Sequence, residues 1–275
     1  MPELPEVETI RRGFEEYVMG KKVEKVEVRL PKIIYQGNVG DLVNRVVIRA
    51  RRFGKVLVLD LSNGLSLLAH IKLTGQFVFR KAREVSKIGL LPNRWTRIIF
   101  YFTDGSKLFY NDIRQFGWMR IIPTNKVELF KFISELGPEP FSTLTLKKFG
   151  DILQNRSTKI KQVLLDQTKI SGIGNIYAND ALFLAGINPT RPAKSLGLRE
   201  QSKLYEAILA VLKRGLKYGG ASENTYVNIL GEQGEYQNHF LAYGRAGKPC
   251  KKCRTLIKRI SIGGRGTYYC TACQR

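Results

Sequence analysis

The chain has 275 residues, 43% hydrophobic and 25% charged, which is ordinary for a globular protein and leaves room for two domains. Lys and Arg outnumber Asp and Glu by 46 to 23, and the resulting net charge of +23 favours a polyanionic partner (DNA, RNA or an anionic membrane surface) over a merely solubilising surface. The sequence has no run of about 18 apolar residues, which excludes a membrane-spanning helix, and its acidic first residues do not resemble a signal peptide, so we expect a cytoplasmic protein.

The first half of the chain predicts one helix followed by a series of short strands. Apolar residues recur at helical spacing between residues 5 and 18, and Pro5 suits the first turn of such a helix. Alternating or β-branched segments then predict strands at 23–30, 46–50, 56–61, 65–71, 77–79, 97–102, 107–110 and 118–122. Turn-forming residues at 62–64 and 103–105 separate neighbouring strands, and this succession is typical of a β-sandwich.

The second half of the chain changes character near residue 123 and predicts helices. Helical patterns cover 128–136, 144–154, 158–168, 175–185 and 199–218. We therefore predict an α+β protein with a β-sandwich domain that carries the N-terminal helix (1–125), a hinge (126–140), a helical domain (141–240) and a cysteine-rich hairpin (241–275).

The cysteines predict a metal site. The chain has four, and Cys250, Cys253, Cys270 and Cys273 are spaced C-x2-C-x16-C-x2-C. Two close pairs joined by a hairpin-sized loop suit one zinc ion held by four thiolates, which leaves no position for water and so predicts a structural zinc. The alternative is two disulfides, which a cytoplasmic chain with no other cysteine disfavours. Nine Lys and Arg but no Asp or Glu lie between residues 241 and 275, so the same segment predicts a phosphate-binding face.

The N-terminus offers a nucleophile. Removal of Met1, which the small second residue invites, would expose the secondary amine of Pro2. An α-amino group has a pKa near 8, so a useful neutral fraction exists at pH 7 and can attack a sugar carbon to form a Schiff base. Glu3 stands beside it as a general acid or base. The alternative is an ordinary capped helix start.

Two further segments are suited to phosphate. Residues 172–175 (Gly-Ile-Gly-Asn) form a turn that opens into an apolar helix, whose free N–H groups can receive an anion. We predict that Asn175 caps this helix and adds a side-chain hydrogen bond, while Lys161 adds a cation upstream. Arg265 stands between glycines, where its guanidinium can grip a phosphate with two hydrogen bonds. The alternative for residues 172–175 is a plain helix–turn–helix packing element.

A series of motifs runs along the chain: PELPEVETIRRG (2–13), RRFGK (51–55), HIKLTG (70–75), NDIRQFG (111–117), GPEP (137–140), SGIGNIYANDALFLAGINP (171–189) and YGRAGKPCKKC followed by GRGTYYCTAC (243–273). In this order they resemble the bacterial formamidopyrimidine-DNA glycosylase family of the Fpg (MutM) type. Leu4 favours this branch over the sister branch, endonuclease VIII, which usually begins PEGPE. The resemblance implies a helix–two-turn–helix at 171–189 and a zinc finger at the C-terminus.

The resemblance also implies roles for the candidate residues. Pro2 would be the nucleophile, Glu3 would protonate the opening sugar, and Lys55 would bind a phosphate beside the lesion as part of the catalytic site. It implies DNA contacts at His70, Arg114, Asn175 and Arg265, to which Lys161 is added as a candidate, and it implies that the gap left by an extruded base is filled by Leu73, Arg114 and Phe116. Judged from their own context alone, Lys55 would be a surface cation, His70 structural and Phe116 a core residue.

These roles imply a bifunctional DNA glycosylase and AP lyase that excises oxidised purines (8-oxoguanine, formamidopyrimidines) from duplex DNA, acting as a monomer in the bacterial cytosol. The chain departs from the family pattern at Leu73, Lys72 and Gln115, at 92–95, and at 219–240, where the family has its lesion-base loop. Two alternatives therefore stay open: a lyase for oxidised pyrimidines or abasic sites, and a paralogue that binds damaged DNA without catalysis.

Overall fold

The computed structural model describes residues 1–83, 90–223 and 225–275. These residues form two compact units, each discontinuous in sequence. The N-terminal unit contains Met1–Ser134 and Tyr218–Gln237, and the C-terminal unit contains Glu135–Lys217 and Asn238–Arg275. The mixture of sheets in the first unit and helices in the second confirms the predicted α+β class.

The regular elements follow the predicted order. The helices are α1 (Leu4–Tyr17), α2 (Lys131–Ser134), α3 (Leu146–Leu153), α4 (Ile160–Leu165), α5 (Asn175–Ala185) and α6 (Leu198–Lys217). The strands are β1 (Val23–Val28), β2 (Ile34–Gln36), β3 (Val47–Phe53), β4 (Val56–Leu61), β5 (Leu65–His70), β6 (Gly75–Arg80), β7 (Thr96–Phe102), β8 (Lys107–Asp112), β9 (Trp118–Pro123), β10 (Lys258–Ile262) and β11 (Arg265–Tyr269). Short 3-10 helices cover Pro31–Ile33, Val39–Leu42, Thr124–Lys126, Ala193–Ser195 and Tyr236–His239.

The N-terminal unit is built on two sheets that share one apolar core, which confirms the predicted β-sandwich. One sheet has the order β1-β7-β8-β6 and the other β2-β9-β5-β4-β3. Side chains from both sheets, such as Leu59 and Leu67 from the second and Phe77 and Phe100 from the first, belong to a single buried cluster. Their alternation along each strand turns one face inward, as expected for sheets packed face to face.

Helix α1 begins at a capping box and packs on this core. The Glu3 side chain accepts from the N–H of Glu6, and the Glu3 N–H donates to Oε2 of Glu6 over 2.7 Å. Such reciprocal bonds satisfy backbone donors that a helix start otherwise leaves unpaired. Further along, Phe14 is buried and meets Phe77 edge-on, with ring centroids 5.1 Å apart. The helix is therefore fixed by polar bonds at its start and by apolar packing further along.

A late segment, Tyr218–Gln237, belongs to the N-terminal unit, whereas the sequence-based boundaries group it with the helical domain. Its Ile229 is buried in the sandwich core, and its carbonyl accepts from the N–H of Phe79 over 2.7 Å. Gly13 on α1 leaves room for it, since a Cβ there would lie 2.4 Å from Cγ2 of Ile229. Contacts between residues this far apart in sequence leave no local signal.

Two elements differ from the predictions between β1 and α3. The helix predicted over 128–136 is reduced to Lys131–Ser134, because the preceding residues bond through i to i−3 turns, such as Phe130 N–H to the carbonyl of Val127. Strand β2 is absent from the predictions, and it pairs in parallel with β9 over three residues, too short for a recognisable pattern.

The C-terminal unit joins a helical core to a two-stranded hairpin. Helix α5 is buried along most of its length and ends at Gly186, which takes the left-handed conformation favoured at helix ends. Asp180 in this helix is fully buried, and its carboxylate accepts from the N–H groups of Leu241, Ala242 and Tyr243. These bonds fix the chain where it leads into the hairpin β10–β11.

Candidate active site and nucleic-acid interface

The start of the chain is held inside the N-terminal unit. Pro2 and Glu3 are both buried, Glu3 with 2% of its surface exposed. Glu6 ties this segment to the loop at 219–223: one carboxylate oxygen accepts from Glu3 N–H and the other from Ala221 N–H, each over 2.7 Å. The candidate nucleophile and the candidate lesion-base loop are thus joined through one buried carboxylate. Glu6 was not predicted as a site residue, although the spacing Glu3-x-x-Glu6 is that of a capping box.

The loop after α6 is ordered by its own contacts. Tyr226 is buried, and its hydroxyl donates to the carbonyls of Gly219 over 3.0 Å and of Glu6 over 3.3 Å. Burial raises the pKa of Tyr226, with the nearby Glu6 carboxylate adding to the effect, so the hydroxyl keeps its proton. Asn224, which belongs to the segment 219–240 singled out from the sequence, lies outside the described residues.

His70 is the last residue of β5, and Lys55 lies in the turn between β3 and β4, near enough for its charge to act on the His70 ring. Burial lowers the pKa of His70 to about 3, and the positive charges of Lys72 and Lys55 act in the same direction. The ring is therefore neutral near pH 7, and its Nδ1 accepts from Lys72 N–H over 3.0 Å, which leaves the proton on Nε2 as a donor. The rings of Trp118 and Phe132 pack against it at centroid distances of 5.7 and 5.6 Å.

The three side chains predicted to enter the duplex belong to two adjacent loops of this unit. Leu73 is half-buried in the turn between β5 and β6. Arg114 and Phe116 are exposed between β8 and β9, with the guanidinium 4.8 Å from the Phe116 ring centroid. Phe116 has 52% of its surface exposed, so it is not the core residue that its type alone would suggest. The two loops meet where Arg114 N–H donates to Oγ1 of Thr74 over 2.9 Å.

In the C-terminal unit, three predicted residues meet at one hairpin turn. Arg265 is exposed at the start of β11. The next carbonyl, of Gly266, accepts from Nδ2 of Asn175 over 3.1 Å and from Nζ of Lys161 over 2.8 Å. The hairpin tip is therefore bonded to the first turns of α4 and α5.

Two of these residues differ from their predicted positions. Asn175 is the first helical residue rather than the cap of α5: the cap is Gly174, and the Asn175 side chain turns to the hairpin instead. Lys161 is fully buried, and its ammonium also donates to Oγ1 of Thr267 over 2.8 Å. In this structure the Lys161 ammonium is directed to the hairpin and not to solvent.

The four cysteines form one cluster that fits zinc. All their Sγ atoms lie within 4.8 Å of one another, with 3.9 Å between Cys250 and Cys273 and 3.4 Å between Cys253 and Cys270. Zinc–sulfur bonds of about 2.3 Å in a tetrahedron require sulfurs roughly 3.8 Å apart, whereas a disulfide needs about 2 Å. The cysteines are unpaired, so the disulfide alternative is wrong and the prediction of one structural zinc is confirmed.

Among the described residues, no helix is both long and apolar enough to cross a membrane.

Comparisons with known proteins cover nearly the whole chain. Residues 1–119 match the family model of the formamidopyrimidine-DNA glycosylase N-terminal domain, residues 136–227 match the H2TH domain of the same enzymes, and residues 247–275 match a zinc finger found in FPG and IleRS. The formamidopyrimidine-DNA glycosylase of Pelotomaculum thermopropionicum is 39% identical over 280 residues, covering 100% of this chain and 99% of that protein.

Solved structures agree with the sequence comparison. A variant of Lactococcus lactis FPG in complex with DNA containing Fapy-dG superposes with a TM-score of 0.91 at 30% identity, covering all of both chains. The wild-type Lactococcus lactis enzyme with DNA containing an oxidised pyrimidine gives 0.90, also at 30% identity over all of both chains.

Proposed function

The chain belongs to the formamidopyrimidine-DNA glycosylase family, and from that premise we propose that it is a base-excision repair enzyme that removes oxidised purines, such as 8-oxoguanine and formamidopyrimidines, from duplex DNA and then cleaves the strand. The observation that carries the proposal is the placement of Pro2 and Glu3, buried at the start of α1 and tied through Glu6 to the loop at 219–223. We propose a monomer in the bacterial cytosol, with double-stranded damaged DNA as its partner.

The proposed chemistry begins when removal of Met1 frees the secondary amine of Pro2. The amine nitrogen bonds to C1′ of the deoxyribose while the bond to the damaged base breaks and the base takes up a proton. Glu3 donates a proton to the ring oxygen, the sugar opens, and a Schiff base links Pro2 to the opened sugar. Loss of the C2′ proton then expels the 3′ phosphate, and a second elimination expels the 5′ phosphate.

Base extrusion and phosphate binding are assigned to the residues described above. Unstacking a base costs a few kcal/mol, and inserted side chains offset the cost by filling the gap. Arg114 and Phe116 are exposed, with the guanidinium 4.8 Å from the ring centroid, which suits insertion, and Leu73 lies in the adjacent loop. Lys55 and the Nε2–H of neutral His70 suit phosphate oxygens. In the C-terminal unit the exposed Arg265 and the turn at 172–175 suit the same ligand, and we propose that Asn175 and Lys161 support them from the hairpin side.

A second candidate keeps the chemistry and changes the lesion. The Lactococcus lactis relative has been seen with DNA containing an oxidised pyrimidine. In this chain, moreover, the two loops expected to enter the duplex carry Lys72 and Gln115, which depart from the family pattern and both take positive φ angles, 48° and 57°. Oxidised pyrimidines or abasic sites are therefore the alternative substrates.

Borohydride trapping tests the proposal, because only an enzyme that forms a Schiff base becomes covalently attached to lesion DNA. We expect wild-type protein to give a stable adduct with an 8-oxoguanine duplex, and mass spectrometry to place it on Pro2. A Pro2→Gly variant should give far less adduct, while Pro5→Ala, which leaves the terminal amine in place, should keep it. Binding without any adduct would support a non-catalytic paralogue, and a duplex panel with oxidised pyrimidines separates the two substrate classes.

A further inference from the structure

The two loops that carry Leu73, Arg114 and Phe116 are anchored on the same buried carboxylate. Asp112 ends β8 opposite Gly75, the first residue of β6, and is fully buried. Its Oδ1 accepts from the hydroxyl of Thr74, next to Leu73. Its Oδ2 accepts over 2.8 Å from the N–H of Gly117, next to Phe116. Each oxygen of one side chain thus holds a different loop.

The Thr74 hydroxyl extends this connection to Arg114. It donates to Asp112 and accepts from Arg114 N–H over 2.9 Å. A hydroxyl can donate once and accept as well, so both roles are filled by the same atom. The turn at 71–74 and the loop at 113–117 are therefore linked through side chains that are not themselves expected to contact DNA.

Close packing under the two loops leaves them little freedom. A Cβ at Gly75 would lie 2.7 Å from the Tyr110 hydroxyl, and one at Gly117 would lie 1.8 Å from it, so both glycines press directly on this group. The same hydroxyl is 3.5 Å from Oδ2 of Asp112. Tyr110 and Asp112 together form the support on which both loops end.

The loops also hold backbone conformations that need such support. Lys72 and Gln115, one in each loop, take the left-handed φ values of 48° and 57° although neither is glycine. Strained backbone of this kind persists only where the surrounding structure fixes it. Asp112 and Thr74 supply that fixation from the inside of both loops at once.

We propose that Asp112, with Thr74, is a positioning residue that holds Leu73 in register with Arg114 and Phe116, so that the three side chains enter the duplex as one unit. The inference rests on the proposed function and concerns base extrusion, the step before the chemistry at Pro2. The proposal therefore predicts an effect on duplex substrates only. A single strand with an abasic site has neither a partner strand nor a stacked base to displace.

The test uses two variants and a matched pair of controls. Asp112→Asn replaces one acceptor oxygen by an NH2 group, which must face a donor, and Thr74→Val removes the hydroxyl while keeping the shape of the side chain. The controls are Asp60→Asn and Ser66→Ala: Asp60 is also buried in a strand of this unit, and it accepts from the Ser66 hydroxyl over 2.6 Å and from the Arg51 guanidinium over 2.8 Å, two partners that lie outside both loops.

Three readouts are compared for variants whose melting temperature and zinc content match those of the wild type. The first is single-turnover excision from an 8-oxoguanine duplex, the second is borohydride trapping on a single-stranded oligonucleotide with an abasic site, and the third is the fluorescence of 2-aminopurine placed beside the lesion. Asp112→Asn and Thr74→Val should lower duplex excision by roughly 30- to 100-fold and abolish the fluorescence rise, since a misplacement of about 1 Å can cost that much. Single-strand trapping should stay within about threefold of wild type, and both controls should keep all three readouts within that range.

Several outcomes would overturn the inference. One is duplex excision within about threefold of wild type in folded Asp112→Asn and Thr74→Val. Another is an equal loss on duplex and single strand, which is what a general structural defect would produce, and a third is the same selective loss in the Asp60→Asn control. If Asp112→Asn does not fold, Thr74→Val decides alone, because it leaves the carboxylate in place. Failure of the proposed function itself is distinguishable, since wild-type protein would then not excise 8-oxoguanine from the duplex, whether or not it traps on the abasic single strand.

Discussion

The buried imidazole of His70 predicts a specific loss of stability in mild acid. Its pKa in the folded protein is about 3, because burial disfavours the charged form and the positive charges of Lys72 and Lys55 oppose it. In the unfolded chain a histidine titrates near 6.5. Above pH 6.5 both states are neutral at this residue and it contributes nothing. As the pH falls below 6.5, His70 gains a proton in the unfolded state but not in the folded state, so the free energy of unfolding falls. The fall ends at about pH 3, where the folded protein also binds the proton.

The size of the effect follows from these two values. At pH 5 the unfolded histidine is almost fully protonated and the folded one is not, which amounts to about 2 kcal/mol lost relative to pH 8. The loss should vanish in His70→Asn, whose amide oxygen can accept from Lys72 N–H in place of Nδ1 and which does not titrate. Comparing the two proteins at each pH cancels the contributions of all other groups, including proton competition at the zinc site.

Tryptophan fluorescence in urea is the suitable assay. The chain has two tryptophans, Trp95 and Trp118, and both lie in the N-terminal unit, so the signal follows the unit that contains His70. Phe132→Ala, which removes one of the two rings packed against the imidazole, should reduce the pH-dependent loss of stability, because desolvation is the largest cause of the lowered pKa of His70. Equal pH slopes for wild type and His70→Asn would refute the reasoning, since the folded protein would then bind the proton as readily as the unfolded chain.

Three further predictions address other parts of the molecule. Lys161→Met deletes the buried ammonium and with it two hydrogen bonds, so it should destabilise the C-terminal unit by about 2–4 kcal/mol and weaken DNA binding. The stability is measured by urea unfolding followed by circular dichroism. A change below about 0.5 kcal/mol would contradict the role of these bonds. Cys253→Ser should lower bound zinc well below one per chain in a colorimetric assay and speed amide exchange in the hairpin, and full zinc retention would speak against four-thiolate binding. Gly13→Ala should lower the free energy of unfolding by about 1–3 kcal/mol, because the added methyl group would overlap Ile229. In a double-mutant cycle, Ile229→Ala should remove most of this loss, and strictly additive losses would rule out the contact.

Local patterns were sufficient for the sandwich and for the metal site. Most strands of the N-terminal unit are alternating or β-branched segments separated by turn residues, so they can be located without their partners, and the three-residue β2 is the exception. The cysteine spacing likewise predicts the zinc site without further information, because closing the hairpin brings the two close pairs together.

Long-range contacts account for what the sequence did not reveal. Lys161 looks like one more surface cation, and its burial depends on acceptors 105 and 106 residues further along the chain. The turn of Asn175 toward the hairpin has the same origin, with its acceptor 91 residues away. Glu6 is an intermediate case: its bond to Glu3 follows from spacing, whereas its bond to Ala221, 215 residues away, does not.

The discontinuous make-up of the N-terminal unit has a consequence for biosynthesis. Ile229 fills a place in the sandwich core beside Gly13, and its carbonyl pairs with Phe79, so the sandwich lacks part of its interior until that residue has left the ribosome. Domains usually fold as they emerge, at about 5–20 residues per second. Here the first unit to be translated stays incomplete until most of the second has been synthesised, and a nascent chain stopped before residue 229 would expose an unfilled apolar surface to chaperones.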